Sequence, residues 1–161
     1  MVEIREIRTE EYGFLWEMLH EAIYSPDVKL PKSIIYEAPL ANYAASFGRT
    51  GDYGFVLATD TGLAGAAWVR LLKGENRGYG FVNEETPELS MAIEADFRGK
   101  GYGRQMLEKL IEKGAQVGYA QLSLSVDKRN KAFDLYQKAG FVTVSETDGS
   151  CIMVRRTTPA N

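Results

Sequence analysis

Apolar and charged residues nearly alternate at the start of the chain, where Val2, Ile4 and Ile7 are set among Glu3, Arg5 and Glu6, and this pattern predicts an opening strand. From Thr9 onward the period lengthens. Leu15, Met18, Leu19, Ala22 and Ile23 stand at i, i+3, i+4, i+7 and i+8, and Thr9 before Glu10 and Glu11 reads as an N-cap, so a helix over about 10–24 is expected. Ser25-Pro26 and Leu30-Pro31 punctuate the next stretch. A second, less regular helix is expected over 34–47, ending near Gly48.

Two apolar runs, Gly54–Ala58 and Leu63–Val69, flank Thr59-Asp60-Thr61-Gly62 and predict an antiparallel hairpin. The polar stretch from Lys73 to Thr86 reads as a surface connection, with a strand extension around Tyr79–Phe81. Pro87 precedes a strand over Glu88–Ile93. The spacing of Met106, Leu107, Leu110 and Ile111 then predicts a helix over 101–117, capped by Gly118. Leu122, Leu124 and Val126 alternate with polar residues as a strand, and Ala132, Leu135, Tyr136 and Ala139 form a short helical stripe stopped by Gly140. A closing hairpin pairs 141–145 with 151–155. Strand, helix and strand over 88–126 imply a parallel pair with a right-handed crossover inside an otherwise antiparallel sheet.

Composition narrows the functions without choosing one. A chain of 161 residues has the size of a single domain, here expected over 1–161, and buries roughly 70% of its unfolded surface without a disulfide or metal. A net charge of -3 offers no basic footprint for nucleic acid. One cysteine, Cys151, and one histidine, His20, are too few for the usual zinc sites, so no metal is expected. No leader pattern or membrane-spanning run is evident, which points to a cytoplasmic protein with no membrane partner. Cys151 reads as a buried strand residue, and His20 as a rim residue of the first helix.

The candidate chemistry lies in Arg98-Gly99-Lys100-Gly101-Tyr102-Gly103-Arg104, between a strand and a helix N-terminus. Glycines there let successive N–H groups converge on one phosphate, the helix end adds positive potential, and Arg98, Lys100 and Arg104 supply charge. The dinucleotide fingerprint fails, because Arg104 and Met106 stand where its last glycine would fall. A Walker loop fails for want of Gly-Lys-Ser/Thr. The segment instead matches R/Q-x-x-G-x-G/A. With Glu88–Ile93 before it, Asp127-Lys128-Arg129-Asn130 after it and Leu135-Tyr136-Gln137-Lys138-Ala139-Gly140-Phe141 beyond, the chain resembles the GNAT superfamily of acetyl-CoA-dependent N-acetyltransferases.

That resemblance implies a mixed α/β fold, a mostly antiparallel twisted sheet of six to seven strands with one splayed parallel pair, flanked by about four helices. It implies acetyl-CoA as co-substrate, its pyrophosphate on Arg98–Arg104 and its pantetheine arm along Met91, Ala92 and Ile93. An amide-rich arm suits an opened sheet, where it pairs like an added strand. Transfer to an amine meets a protonation handicap, since an alkylammonium is about 0.1% neutral at pH 7, worth roughly 4 kcal/mol. Glu88 stands where many members carry a carboxylate, and takes that proton directly or through water; its alternative reading is a solvated residue at the strand start. Tyr136 matches the general acid that protonates the departing thiolate, against a plain core role. Asn130 matches a contact to the CoA arm when counted from Val126 but falls one residue short counted back from Tyr136, so either the helix starts early or Arg129 replaces the contact.

The acceptor is expected to be a small cationic amine, because Glu84, Glu85 and Glu88 cluster before the strand that borders the acceptor cleft. Trp68, Tyr79 and Phe81 are candidate pocket residues, with Trp68 better read as core. Two other functions stay open: a non-catalytic acyl-CoA-binding module, and a protein or peptide N-acetyltransferase. The oligomeric state, a homodimer included, is not decided by sequence.

Overall fold

A computed structural model describes residues 1–23 and 30–158. Seven strands, β1 (Glu3–Glu6), β2 (Tyr53–Thr59), β3 (Gly62–Arg70), β4 (Glu88–Ile93), β5 (Gln121–Asp127), β6 (Val142–Thr147) and β7 (Ser150–Arg156), form one sheet in the order β1-β2-β3-β4-β5-β7-β6. Every neighbouring pair is antiparallel except β4 and β5. Three α-helices are present among the described residues, α1 (Phe14–Ala22), α2 (Tyr102–Val117) and α3 (Ala132–Lys138).

The period of two in the strands sorts their side chains between two cores. On one face Phe55, Leu57, Val69, Leu89, Leu122, Leu124 and Val126 pack with Met106, Leu107 and Leu110 of α2 and with Tyr136 of α3. On the other face Val56, Ala66, Trp68 and Ala92 pack with Leu15, Met18 and Leu19 of α1, and with Ile35, Tyr43 and Phe47. Cys151 is fully buried, as its strand position implies. Among the described residues no helix is long and apolar enough to cross a membrane.

Three expected elements differ. The first helix begins at Phe14 rather than 10, because Glu11 is drawn to Arg5 of β1 (2.7 and 2.9 Å) and to the Arg8 N–H (2.9 Å), which closes Thr9–Glu11 as a separate 3-10 turn. The helix expected over 34–47 is two 3-10 turns, Lys32–Tyr36 and Leu40–Tyr43, divided around Pro39, whose missing N–H cannot continue a helical ladder. No strand forms at 79–81. The chain there turns inward, burying Gly80 and Thr86 against the sheet. Ser25-Pro26 lies outside the described residues.

Candidate active site at the splayed strands

The parallel pair is joined at its start only. Ser123 donates its N–H to the Pro87 carbonyl (2.9 Å), Glu88 pairs with Ser123, and beyond that β4 and β5 share no further register. The strands therefore open as a wedge. Glu94 donates its N–H to Ala64 (2.8 Å), which by antiparallel alternation commits the main chains of Ser90 and Ala92 to β3. Met91 and Ile93 consequently turn their N–H groups toward the gap. Of the expected stretch Met91–Ile93, Ala92 is the exception: period two directs its backbone to β3 and its side chain into the α1-side core.

At the wide end the chain leaves β4 through a 3-10 turn, Ala95–Phe97, and enters α2 through the glycine turn. Gly101 takes φ +88°, a left-handed conformation that L side chains rarely adopt, and a Cβ there would meet nothing within 4 Å. The turn is thus open where it is most constrained. Among the described residues no side chain caps α2, and the first main-chain donor bound at its start is Gln105, to Gly101 (3.2 Å), so the preceding N–H groups are left open at the positive end of a 16-residue helix. Gly103 lets this end sit close: a Cβ on it would lie 3.0 Å from Leu135 and 3.5 Å from Met91.

The three basic residues of the turn are already engaged. Arg98 donates to the Ile93 carbonyl (2.7 Å) and pairs with Glu21 (3.3 Å), Lys100 lies over the Phe97 ring (5.7 Å), and Arg104 pairs with Glu108 (3.1 Å). Arg98 and Arg104 remain about half exposed, so these pairs are weak and exchangeable. Tyr102 is half-buried at the helix start. Asn130 accepts the Ala132 N–H on its Oδ1 (2.9 Å), in the turn that leads into α3.

Glu88 is not a solvated strand-start residue. It is 3% exposed, on the α1 side of the sheet, and its Oε2 accepts the Tyr43 hydroxyl (2.5 Å) and the Gly80 N–H (3.1 Å). Burial pushes its carboxyl above the usual range, opposed by the Tyr43 and Gly80 hydrogen bonds and by a weaker pull from the nearby Gly78 N–H. Tyr136 lies on the opposite side, buried edge-on to Phe141 (5.8 Å), with its hydroxyl pushed up to about 12 by burial. Among the described residues that hydroxyl has no hydrogen-bond partner. The carboxylate and the phenol thus flank the sheet from its two faces.

Sequence reading missed Tyr43 and Arg70. Tyr43 stood in a stretch expected to be a weak helix, and Arg70 at the end of a hairpin strand, with no local pattern to mark either as buried. His20 is half-buried, with Nε2 3.2 Å from the Leu30 carbonyl. Trp68 is core, 1% exposed, and donates Nε1 to the Tyr43 carbonyl (2.8 Å). Tyr79 is exposed, and Phe81 lies under Arg77 (4.9 Å). Among the described residues no three His, Cys, Asp or Glu side chains are placed to share a metal.

A seven-stranded sheet opened at one parallel pair, with a glycine turn feeding a helix at the opening, is a GNAT-type fold. The acetyltransferase (GNAT) family model matches residues 1–141, and the chain belongs to that family. The L-methionine sulfoximine/L-methionine sulfone acetyltransferase of Pseudomonas aeruginosa is 32% identical over 124 residues, covering 74% of this chain and 71% of that protein. The L-amino acid N-acyltransferase MnaT of Escherichia coli is 32% identical over 62 residues, 38% of this chain and 36% of its own. PaiA N-acetyltransferase from Thermoplasma acidophilum, in complex with coenzyme A, superimposes with a TM-score of 0.70 at 19% identity, covering 97% of this chain and 99% of that one.

Proposed function

We propose that the chain transfers the acetyl group of acetyl-CoA to the primary amine of a small-molecule acceptor, by direct attack while both substrates are bound. The observation that carries this is the wedge between β4 and β5, which ends at an uncapped glycine turn. The outward N–H groups of 99–104 suit a pyrophosphate. Those of Met91 and Ile93 suit the amides of a pantetheine arm and can steady the charge that builds on the thioester oxygen. Arg98, Lys100 and Arg104 exchange their present partners for phosphate, and Asn130, its Oδ1 taken by the Ala132 N–H, offers its amide N–H groups.

Glu88 takes the amine proton, through water given its depth, and its raised pKa makes it a stronger base than a surface carboxylate. Tyr136 stays protonated at neutral pH and returns a proton to the departing thiolate. Neither role requires a metal.

The acceptor is inferred to be an amino acid or an analogue with a modified side chain, the class named for both curated relatives. The acidic mouth expected for a cationic amine has lost Glu88 to the interior, and Glu84 accepts the Gly74 N–H (3.3 Å). The test is CoA-thiol release with L-methionine sulfone, L-methionine sulfoximine, spermidine, an aminoglycoside and a peptide. The sulfone and sulfoximine are expected to turn over best. Preference for spermidine would return the acceptor to the cationic class, and acetyl-CoA binding without release from any amine would favour a non-catalytic module.

A further inference from the structure

We propose that Tyr43 is a positioning residue for the reaction, holding Oε2 of Glu88 so that Oε1 is the oxygen left to take the acceptor's proton. The inference rests on Glu88 acting as the base. Tyr43 is 7% exposed, and its hydroxyl is bound on both sides: it accepts the Tyr79 N–H (2.7 Å) and donates to Oε2 of Glu88 (2.5 Å). Gly80 supplies the second donor to the same oxygen (3.1 Å). Oε1 is buried as well and, among the described residues, makes no hydrogen bond of ordinary geometry, the Gly78 N–H exerting only a weak pull on the carboxyl. A buried carboxylate oxygen without a donor is costly unless something else serves it, such as a substrate or a water chain.

The surroundings preserve this asymmetry. A Cβ on Gly78 would lie 2.5 Å from Oε1 and closer still to the Tyr43 hydroxyl, so any side chain at 78 would push the two groups out of this arrangement. A Cβ on Gly80 would lie 2.8 Å from the Leu124 main chain and 3.0 Å from the Ser125 nitrogen, which seats this segment at the narrow end of the wedge. Tyr43 is itself fixed from β3, where Trp68 holds its carbonyl and Arg70 holds the carbonyls of Asn42 (3.0 Å), Ala45 (2.6 Å) and Ser46 (3.3 Å).

The other charged groups on the elements packed around Glu88 are engaged elsewhere or face solvent. Arg70, opposite it on β3, pairs with Asp52 (3.0 Å). On α1, Glu21 pairs with Arg98 and His20 meets Leu30, while Glu17 is exposed. Arg77 lies over Phe81, Glu84 holds Gly74, Glu85 is exposed, and Ser123 of β5 does not titrate. Among the described residues Tyr43 is thus the one titratable side chain bonded to Glu88. Its own hydroxyl is pushed up by burial and by the Glu88 charge, so it remains a donor across the working range.

The experiment follows the Glu88 carboxyl directly, in protein carrying 13C-carboxyl glutamate, with its resonance assigned by loss in Glu88→Gln. Tyr43→Phe removes a donor to the ionised form and is expected to raise the titration midpoint by about one pH unit. The acid limb of CoA-thiol release, with L-methionine sulfone as probe acceptor, should move upward with it while acetyl-CoA affinity by calorimetry stays within twofold. Site-specific 3-fluorotyrosine at 43 keeps the hydroxyl, and so the fold, but makes it a stronger donor; both readouts should move down. A Glu88 midpoint unmoved by either change overturns the proposal, as does a midpoint that moves while the acid limb stays. An acid limb that survives Glu88→Gln overturns the base reading as well.

Discussion

On the α2–α3 face of the sheet the buried residues are almost all apolar, the Tyr136 hydroxyl being one of the few polar groups inside, and the glycine turn over 99–104 opens outward at the rim. On the α1 face charges lie inside: Arg70 is 2% exposed with Asp52 on its guanidinium, and Glu88 is 3% exposed under Tyr43. One face is a dry core carrying an anion-ready turn. The other is a polar framework that fixes a loop and a carboxylate. Binding a common nucleotide-bearing substrate requires outward main-chain donors that any similar chain can supply, whereas shaping an acceptor pocket and a proton path requires particular side chains held in low dielectric. Under the proposed function, stability and chemistry are therefore separable on the first face and entangled on the second.

The largest expected effect breaks that entanglement. Arg70→Ala leaves Asp52 without its cation and three carbonyls without donors, and should cost about 3–5 kcal/mol in urea unfolding. Arg104→Ala, at the rim of the other face, should cost no more than about 0.5 kcal/mol. Glycine substitutions sharpen the contrast: Gly80→Ala meets main chain at 2.8 Å and should cost about 1–3 kcal/mol, with loss of turnover. Gly101→Ala meets open space and suffers mainly from its φ of +88°, about 1–2 kcal/mol. Its signature should be weakened acetyl-CoA binding in calorimetry.

A smaller effect depends on pH. Arg5 holds the Glu11 carboxyl down to about 2, from an ordinary 4.5, so the folded form binds fewer protons than the unfolded form between those values. The stabilisation is complete above pH 5 and is lost as pH falls toward 2. For a pair still touching solvent it is worth about 1 kcal/mol. Glu11→Gln should narrow the difference between wild-type urea midpoints at pH 7 and pH 3. Smallest in stability is Tyr136→Phe, which removes a hydroxyl with no hydrogen-bond partner among the described residues and should change unfolding by less than about 0.5 kcal/mol. Turnover should nonetheless fall by about 100-fold with acetyl-CoA affinity kept, if the hydroxyl serves the thiolate. Unchanged turnover would remove it from the chemistry.

Local pattern by itself determined the sheet's strands, α2 with its Gly118 cap, the parallel crossover and the glycine turn, because each is written in contiguous residues: period two, period 3.6, or glycines at fixed offsets before a helix. Through them the family was legible from 88–141. Tertiary structure alone decided that Ala92 turns away from the gap, since that depends on which neighbour β4 bonds first. It also decided that Glu88 is buried and that Tyr43, 45 residues away in sequence, reaches it. The same holds for the 78–80 segment, whose glycine-rich composition suggests a surface loop until Tyr43 and Glu88 accept the N–H groups of Tyr79 and Gly80. A buried polar group is stable only with its partners, and those partners are brought together by the fold, not by neighbouring sequence.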